Sequence, residues 1–241
     1  MKNALFLGGS KGLGLEMAKL ALAEGMKVTI MARTALTSPL VQEGRAIGHN
    51  VFLDKMGISL EPLHSFAIGR VPFDLIVWTA GTYQEGNIMD LDPHEIENIS
   101  RTHFEGPAIA LRELLQRNRD ELVPCHLVGI ASSSSYKVRT GEGLYGSLKA
   151  GKAQLIRTLG VELPVLVPGS RVLLVHPGGM NTPFWDGRVQ PKRADFMDPA
   201  AVADCIWHVM KSQPPHFLEV HIVRQPDRSP RVEYGVRAPE F

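Results

Sequence analysis

The sequence predicts an α/β fold: a doubly wound parallel sheet of about seven strands with helices on both faces. Three observations predict it. Short apolar runs alternate with longer helical patterns along the whole chain. A glycine-rich turn, Gly8 to Gly14, joins the first apolar run to the first helical pattern. Right-handed crossovers then wind such alternating units into one sheet covered on both sides.

The elements follow in order. Ala4 to Leu7 reads as a buried strand. Leu13 to Glu24 reads as a helix with Leu13, Met17, Leu20 and Ala21 on one face, ended by Gly25. Apolar runs follow at 28–32, 51–53 and 73–77, the last leading into Trp78-Thr79-Ala80-Gly81. A long helical pattern spans 93–115. His126 to Ala131 is a strand, Tyr145 to Leu163 a helix, and Arg171 to His176 a strand closed by Pro177-Gly178. Pro199 to Lys211 is a helix and Phe217 to Val223 the last strand. Residues 1–224 thus read as a single domain, and 225–241, rich in Pro and Arg, as a mobile or partner-clasping tail.

Composition narrows the function classes. The chain has 241 residues, 26 Lys plus Arg and 25 Asp plus Glu. With a formal net charge of +1, no global field favours nucleic acid or an anionic membrane. The two cysteines, Cys125 and Cys205, form no Cys-x-x-Cys pair, so a zinc or redox motif is not indicated. The N-terminal apolar stretch is too short for a signal peptide, and no run reaches the roughly 18 apolar residues of a membrane span. A cytoplasmic protein is expected. Glycine is enriched, at 23 residues, against a usual share of about 7%.

Part of that glycine lies in Leu7-Gly8-Gly9-Ser10-Lys11-Gly12-Leu13-Gly14. Glycine lets the backbone turn sharply and approach a ligand. The helix start that follows offers free N–H groups and a partial positive charge to a pyrophosphate. No Lys-Ser/Thr pair follows, so a phosphate-cutting loop is excluded. The spacing is Gly8-x3-Gly12-x-Gly14, and its strand-before, helix-after setting points to a dinucleotide. An acidic residue after the second strand would select NAD. Here the strand ends Met31-Ala32-Arg33-Thr34. Arg33 and Lys11 are placed to clamp a 2′-phosphate, so NADP(H) is expected in preference to NAD(H).

A second constellation lies in Leu144-Tyr145-Gly146-Ser147-Leu148-Lys149. Positions four apart share a helical face, so the phenol of Tyr145 and the ammonium of Lys149 project together. A nearby cation favours the phenolate and brings its pKa from about 10 toward neutrality. Upstream, Ser132 stands at the end of a strand, from which it can face Tyr145 across the sheet edge.

On these residues the chain resembles the short-chain dehydrogenase/reductase family, in its compact single-domain subtype with a Rossmann-like sheet. The resemblance covers roughly 3–223. Gly8, Gly12 and Gly14, with Ser10, Lys11 and Leu13 between them, match the cofactor turn, although Leu7 stands where Thr is common. Ala80 and Gly81 match the second half of an Asn-Asn-Ala-Gly segment. Asp54 matches an Asp that approaches the adenine. Pro177-Gly178-Gly179-Met180-Asn181-Thr182 matches a Pro-Gly-x-x-x-Thr segment along the nicotinamide. The resemblance implies hydride transfer between a nicotinamide and a carbonyl or alcohol carbon. It implies that Ser132 polarises the oxygen, Tyr145 supplies its proton, and Lys149 binds the nicotinamide ribose and lowers the Tyr145 pKa. One departure stands out. His103, in His103-Phe104-Glu105-Gly106, replaces an Asn that holds a water of the proton relay. A neutral imidazole can donate and accept, so it can hold the same water or serve as a core residue.

The resemblance implies a small carbonyl or alcohol substrate, with a ketone, aldehyde or 3-oxoacyl compound as the expected class. Candidate lining residues are Thr82, Tyr83, Tyr136, Val138, Phe184 and Trp185, with 181–196 as a lid carrying Arg188, Lys192 and Arg193. The family resemblance also implies a homodimer or homotetramer built on the two long helices. The alternative from another class is a non-catalytic dinucleotide sensor or scaffold on the same fold.

Overall fold

The computed structural model describes residues 2–50, 53–54, 57–58, 71–186, 193–212 and 216–235. Its centre is an eight-stranded sheet. The strands are β1 (Asn3–Leu7), β2 (Lys27–Ala32), β3 (Ile47–Asn50), β6 (Leu75–Trp78), β7 (His126–Ile130), β8 (Arg171–Pro177), β9 (Phe217–Arg224) and β10 (Pro230–Tyr234). Two short strands, β4 (Leu53–Asp54) and β5 (Gly57–Ile58), form a separate antiparallel pair. The order across the main sheet is β10-β9-β8-β7-β6-β1-β2-β3. All its pairs are parallel except β9 with β10.

Central strands of a parallel sheet are covered on both faces, which is why they read as unbroken apolar runs. Leu75, Ile76, Val77 and Trp78 of β6 are all buried. The helices are α1 (Gly12–Ala23), α2 (Pro39–Gln42), α3 (Pro93–Ser100), α4 (Gly106–Asp120), α5 (Gly143–Leu166) and α6 (Pro199–Ser212). One core, on the α1 and α6 side, gathers Phe6, Met17, Ile30, Val77, Ile206 and Val220. The other, on the α4 and α5 side, gathers Leu5, Trp78, Leu111, Leu127, Ile156 and Leu174. Among the described residues no helix is long and apolar enough to cross a membrane.

Three expectations need correction. The third strand of the sheet lies at Ile47–Asn50 rather than 51–53, so Asp54 falls in the separate β4–β5 pair; residues 51 and 52 lie outside the described residues. The helical pattern over 93–115 is not one regular helix. A π-helical turn, Arg101–Glu105, joins α3 to α4, with the Gly106 N–H bonded to the Arg101 carbonyl. Each flanking helix keeps its own apolar periodicity, so the sequence hides the turn between them. Finally, the tail expected from Gln225 supplies an eighth strand. β10 pairs Val232 with Ile222 and covers an edge of β9 that would otherwise be open. Residues 236–241 lie outside the described part.

Candidate active site

Strand order reverses beside β1, where β2 and β3 run to one side and β6 to β10 to the other. Open α/β sheets bind ligands at that crevice, beyond the carboxyl ends of the strands. Here it holds a cavity of about 1320 Å³. Typical small-ligand pockets hold roughly 300–1,000 Å³, so this one has room for a dinucleotide and a second molecule.

The Gly turn forms one end. Gly8 adopts a φ of +99°, and a Cβ there would lie 2.5 Å from the Ala80 backbone nitrogen. Only glycine fits that contact between the ends of β1 and β6. The Thr79 hydroxyl sits 2.9 Å from the Gly8 carbonyl and 3.1 Å from the Leu7 carbonyl, bracing the turn. Helix α1 starts at Gly12, and Lys11 before it offers no side-chain cap, so its first N–H groups face an incoming anion. Ser10, Lys11, Gly12, Leu13, Gly14, Arg33 and Thr34 all line the cavity. The Ser10 hydroxyl bonds that of Thr34 at 3.1 Å. Arg33 and Thr34 follow β2 directly. The described carboxylates on the wall, Glu142 and Asp186, come from other segments, before α5 and after β8. Asp54 is not among the described lining residues, and its side chain lies outside the described part.

The other end gathers the reactive groups. Ser132 follows β7, and its Oγ accepts the Ser134 N–H at 3.1 Å. The same hydroxyl acts on the Tyr145 phenol in the sense that favours the phenolate. Tyr145 and Lys149 lie one turn apart on α5, both buried, with the Lys149 Nζ 5.7 Å from the Tyr145 ring centre. Burial brings the Lys149 ammonium down to about 8. The expected lowering of the Tyr145 pKa is not seen. Burial pushes it well above its usual value, and the nearby Ser132 hydroxyl offsets only part of the rise. Tyr145 is therefore held as the phenol, the form that gives a proton. Ala80, Gly81, Pro177, Gly178, Met180 and Thr182 line the cavity between the two ends.

His103 stands apart from this wall. It lies in the π-helical turn, fully buried, and is not among the lining residues. Its Nε2 accepts the Thr82 N–H at 2.8 Å and also touches the Thr82 carbonyl. Burial, reinforced by the Lys149 charge, keeps the ring neutral. A Cβ on Gly81 would meet its Cε1 at 2.8 Å. The ring thus packs beneath Gly81 and 5.5 Å from the Tyr145 ring centre.

Thr82, Tyr83, Tyr136, Phe184 and Trp185 line the cavity as expected; Val138 is exposed and does not. Tyr83 lies 5.4 Å from the Tyr145 ring and 4.6 Å from that of Trp185. Arg193 is not a solvated cation, since it donates to Asp186, the Thr182 carbonyl and Asn181. Arg188 and Lys192 lie outside the described residues. Several groups escaped the sequence reading. Glu142 accepts from the Tyr83 hydroxyl at 3.0 Å and the Ser134 hydroxyl at 2.6 Å, with Arg139 bonded to Ser133 and Ser134. The i, i+3 spacing of Arg139 and Glu142 was the available signal. Lys152, three positions beyond Lys149, is fully buried, donates to the Trp78 carbonyl at 3.0 Å and lies 4.0 Å from the Trp78 ring centre.

Known proteins share the fold and family of this chain. The profile of the family described as short chain dehydrogenase matches residues 2–193. The uncharacterized oxidoreductase YxnA of Bacillus subtilis (strain 168) is 27% identical over 214 residues, which cover 83% of this chain and 60% of that protein's length. The 3-ketoacyl-(acyl-carrier-protein) reductase from Brucella melitensis, solved with NADH, superposes with a TM-score of 0.76 at 19% identity, covering 91% of this chain and 96% of that one. Actinorhodin polyketide ketoreductase, solved with NADPH, gives 0.76 at 21% identity, over 91% and 95%. The last two show the fold, with one reduced nicotinamide cofactor in each.

Packing of His103 beneath Gly81 makes a testable pair. Gly81→Ala should destabilise the protein by about 1–3 kcal/mol in urea unfolding, as overpacking does. Adding His103→Ala should recover part of that loss. Additive costs in the double-mutant cycle would show that the ring does not set the Gly81 contact.

Proposed function

The chain belongs to the short-chain dehydrogenase family, and on that premise we propose that it reduces a ketone or aldehyde, 3-oxoacyl compounds included, with NADPH as hydride donor. One observation carries the reading. Ser132, Tyr145 and Lys149 converge on the same cavity whose opposite end is the Gly turn.

The residues fit a nicotinamide dinucleotide. The cradle at Gly8 is one that a Cβ would fill, and the uncapped start of α1 faces it. Bound there, the cofactor supplies the hydride, and the protein's part is to bind, orient and deliver the proton. Ser132 holds the carbonyl oxygen. Tyr145, kept protonated by burial, gives that oxygen its proton. Lys149 holds the nicotinamide ribose. Arg33, which stands after β2 where a carboxylate would favour NADH, and Lys11 in the Gly turn, which lines the same end of the cavity, support the choice of NADPH. His103 in this reading shapes the floor under Gly81 and Tyr145. Tyr83, Phe184 and Trp185 favour an apolar or aromatic group on the substrate. Exposed Val161, Val165 and Leu166 on α5 support packing against a second copy, as a homodimer or homotetramer in the cytoplasm.

Three measurements test the reading. Tyr145→Phe should lower kcat about a thousandfold, within the span of general-acid effects, and leave NADPH affinity by fluorescence titration unchanged. Tight NADPH binding without turnover across a broad carbonyl panel would instead favour the sensor. Arg33→Ala should weaken NADPH relative to NADH by roughly tenfold to a hundredfold in kcat/KM, the worth of a charge-assisted phosphate contact. The Lys149 ammonium is charged below about pH 8 and neutral above it. The kcat/KM for NADPH should therefore be level below that pH and fall as pH rises through it. A profile rising through the same range would remove Lys149 from cofactor binding.

A further inference from the structure

Behind Ser132 lies a buried polar chain that cofactor binding and proton delivery do not use. Glu219 on β9 is paired bidentately by Arg157 of α5, at 2.9 and 2.7 Å. Its Oε1 also lies 2.9 Å from the Nε2 of His176, the residue before Pro177 on β8. The other nitrogen of that ring, Nδ1, lies 2.6 Å from the Ser135 hydroxyl. The Ser135 hydroxyl in turn donates to the Ser132 carbonyl, which also stands 3.3 Å from the His176 Nδ1. His176 and Glu219 are 1% and 4% exposed. Burial alone would raise the Glu219 carboxyl, yet the bonds from His176 and Arg157 bring it down to about 2.

A carbonyl oxygen and a carboxylate only accept. Ser135 gives its one proton to the Ser132 carbonyl, and its hydroxyl oxygen meets the His176 Nδ1. The Nε2 of the same ring meets Glu219. The ring therefore bridges Ser135 and Glu219 through its two nitrogens. The cluster also contains His221, and His176, Glu219 and His221 hold ligand atoms within 4.8 Å of one another. A cation site does not fit it. The two imidazoles are stacked, 14° apart in plane with centres 4.7 Å apart, so their in-plane lone pairs do not converge. Arg157 already occupies the carboxylate.

We infer that His176 is a positioning residue for Ser132: anchored by Glu219 and Arg157, it holds Ser135 against the Ser132 carbonyl and so sets the hydroxyl that holds the substrate oxygen. This rests on the role proposed above for Ser132. Placement errors of about 1 Å at a reacting group can cost roughly a hundredfold in rate, which gives such a brace its leverage.

Two near-isosteric variants separate positioning from plain stability. His176→Asn keeps a hydrogen-bonding amide where Nδ1 stands, toward Ser135, and gives up Glu219. His176→Gln keeps one where Nε2 stands, toward Glu219, and gives up Ser135. Turnover with NADPH and a ketone accepted by the wild type should survive in His176→Asn and fall roughly tenfold or more in His176→Gln. The KM for NADPH should be little changed in both. Melting temperature should run the other way, with His176→Gln the more stable. A kcat order that follows melting temperature, or wild-type kcat in both, would overturn the inference. Should neither variant fold, Ser135→Ala and Ser135→Thr decide it, because Ser135 is only half-buried. A several-fold loss of kcat in the first, restored in the second, supports the brace; wild-type kcat in Ser135→Ala overturns it. A wild-type protein without turnover on any carbonyl would remove the reading of Ser132, and the inference with it, which is a different outcome from a working enzyme indifferent to His176.

Discussion

The ends of β1 and β6 are held together by three short contacts to one carbonyl. The Leu7 carbonyl accepts the N–H of Thr79 at 2.8 Å and of Ala80 at 2.7 Å, and the Thr79 hydroxyl lies 3.1 Å away. Because these bonds bring Ala80 against Gly8, the turn at Gly8 has no room for a side chain. Because they fix where Gly81 lies, the His103 ring must pack beneath it. The start of α1, the floor of the cavity and the wall beside Tyr145 all inherit their places from this junction. It lies at the point where strand order reverses, which is where an open parallel sheet leaves a crevice.

From the junction outward the two halves of the cavity differ in chemistry. The half on the β2 side offers backbone N–H groups and cations, a setting for phosphate. The half on the β7 and α5 side carries aromatic rings, with a phenol and an amine both moved by burial. Burial acts in opposite senses on the two because it penalises charge, whichever sign the charge has. The phenol keeps its proton, and the ammonium gives its own up more readily. The chain from Arg157 through buried Glu219 and His176 to Ser135 then ties the reactive half to β9.

What could be read from the sequence had local causes. The Gly turn, the Tyr145–Lys149 spacing and the apolar runs of β1, β6, β7 and β8 each declare themselves within a few residues. The strand at Ile47–Asn50 did not, because an edge strand is half-exposed and its Gly48-His49-Asn50 stretch lacks an apolar pattern. The π-helical turn at His103 was hidden because each flanking helix keeps its own apolar periodicity. β10 was hidden by its Pro and Arg content, which suits an edge strand as well as a tail. The Arg157–Glu219–His176 chain joins positions 43 to 62 residues apart, and no spacing rule reports such pairs. Tyr145 shows the limit of local reasoning about charge. Its helical neighbour suggested a lowered pKa, and the burial that reverses the sign is a property of the whole fold.

The central claim is that the two halves of the cavity act on one reaction, with hydride passing from the cofactor to a carbonyl carbon. Isotope transfer tests this most directly. NADPH carrying deuterium at both C4 positions of the nicotinamide would be turned over with an accepted ketone, and the alcohol examined by mass spectrometry and NMR. The account predicts a single deuterium on the carbinol carbon and an oxygen-bound hydrogen drawn from solvent. An alcohol with solvent hydrogen at the carbinol carbon would contradict it.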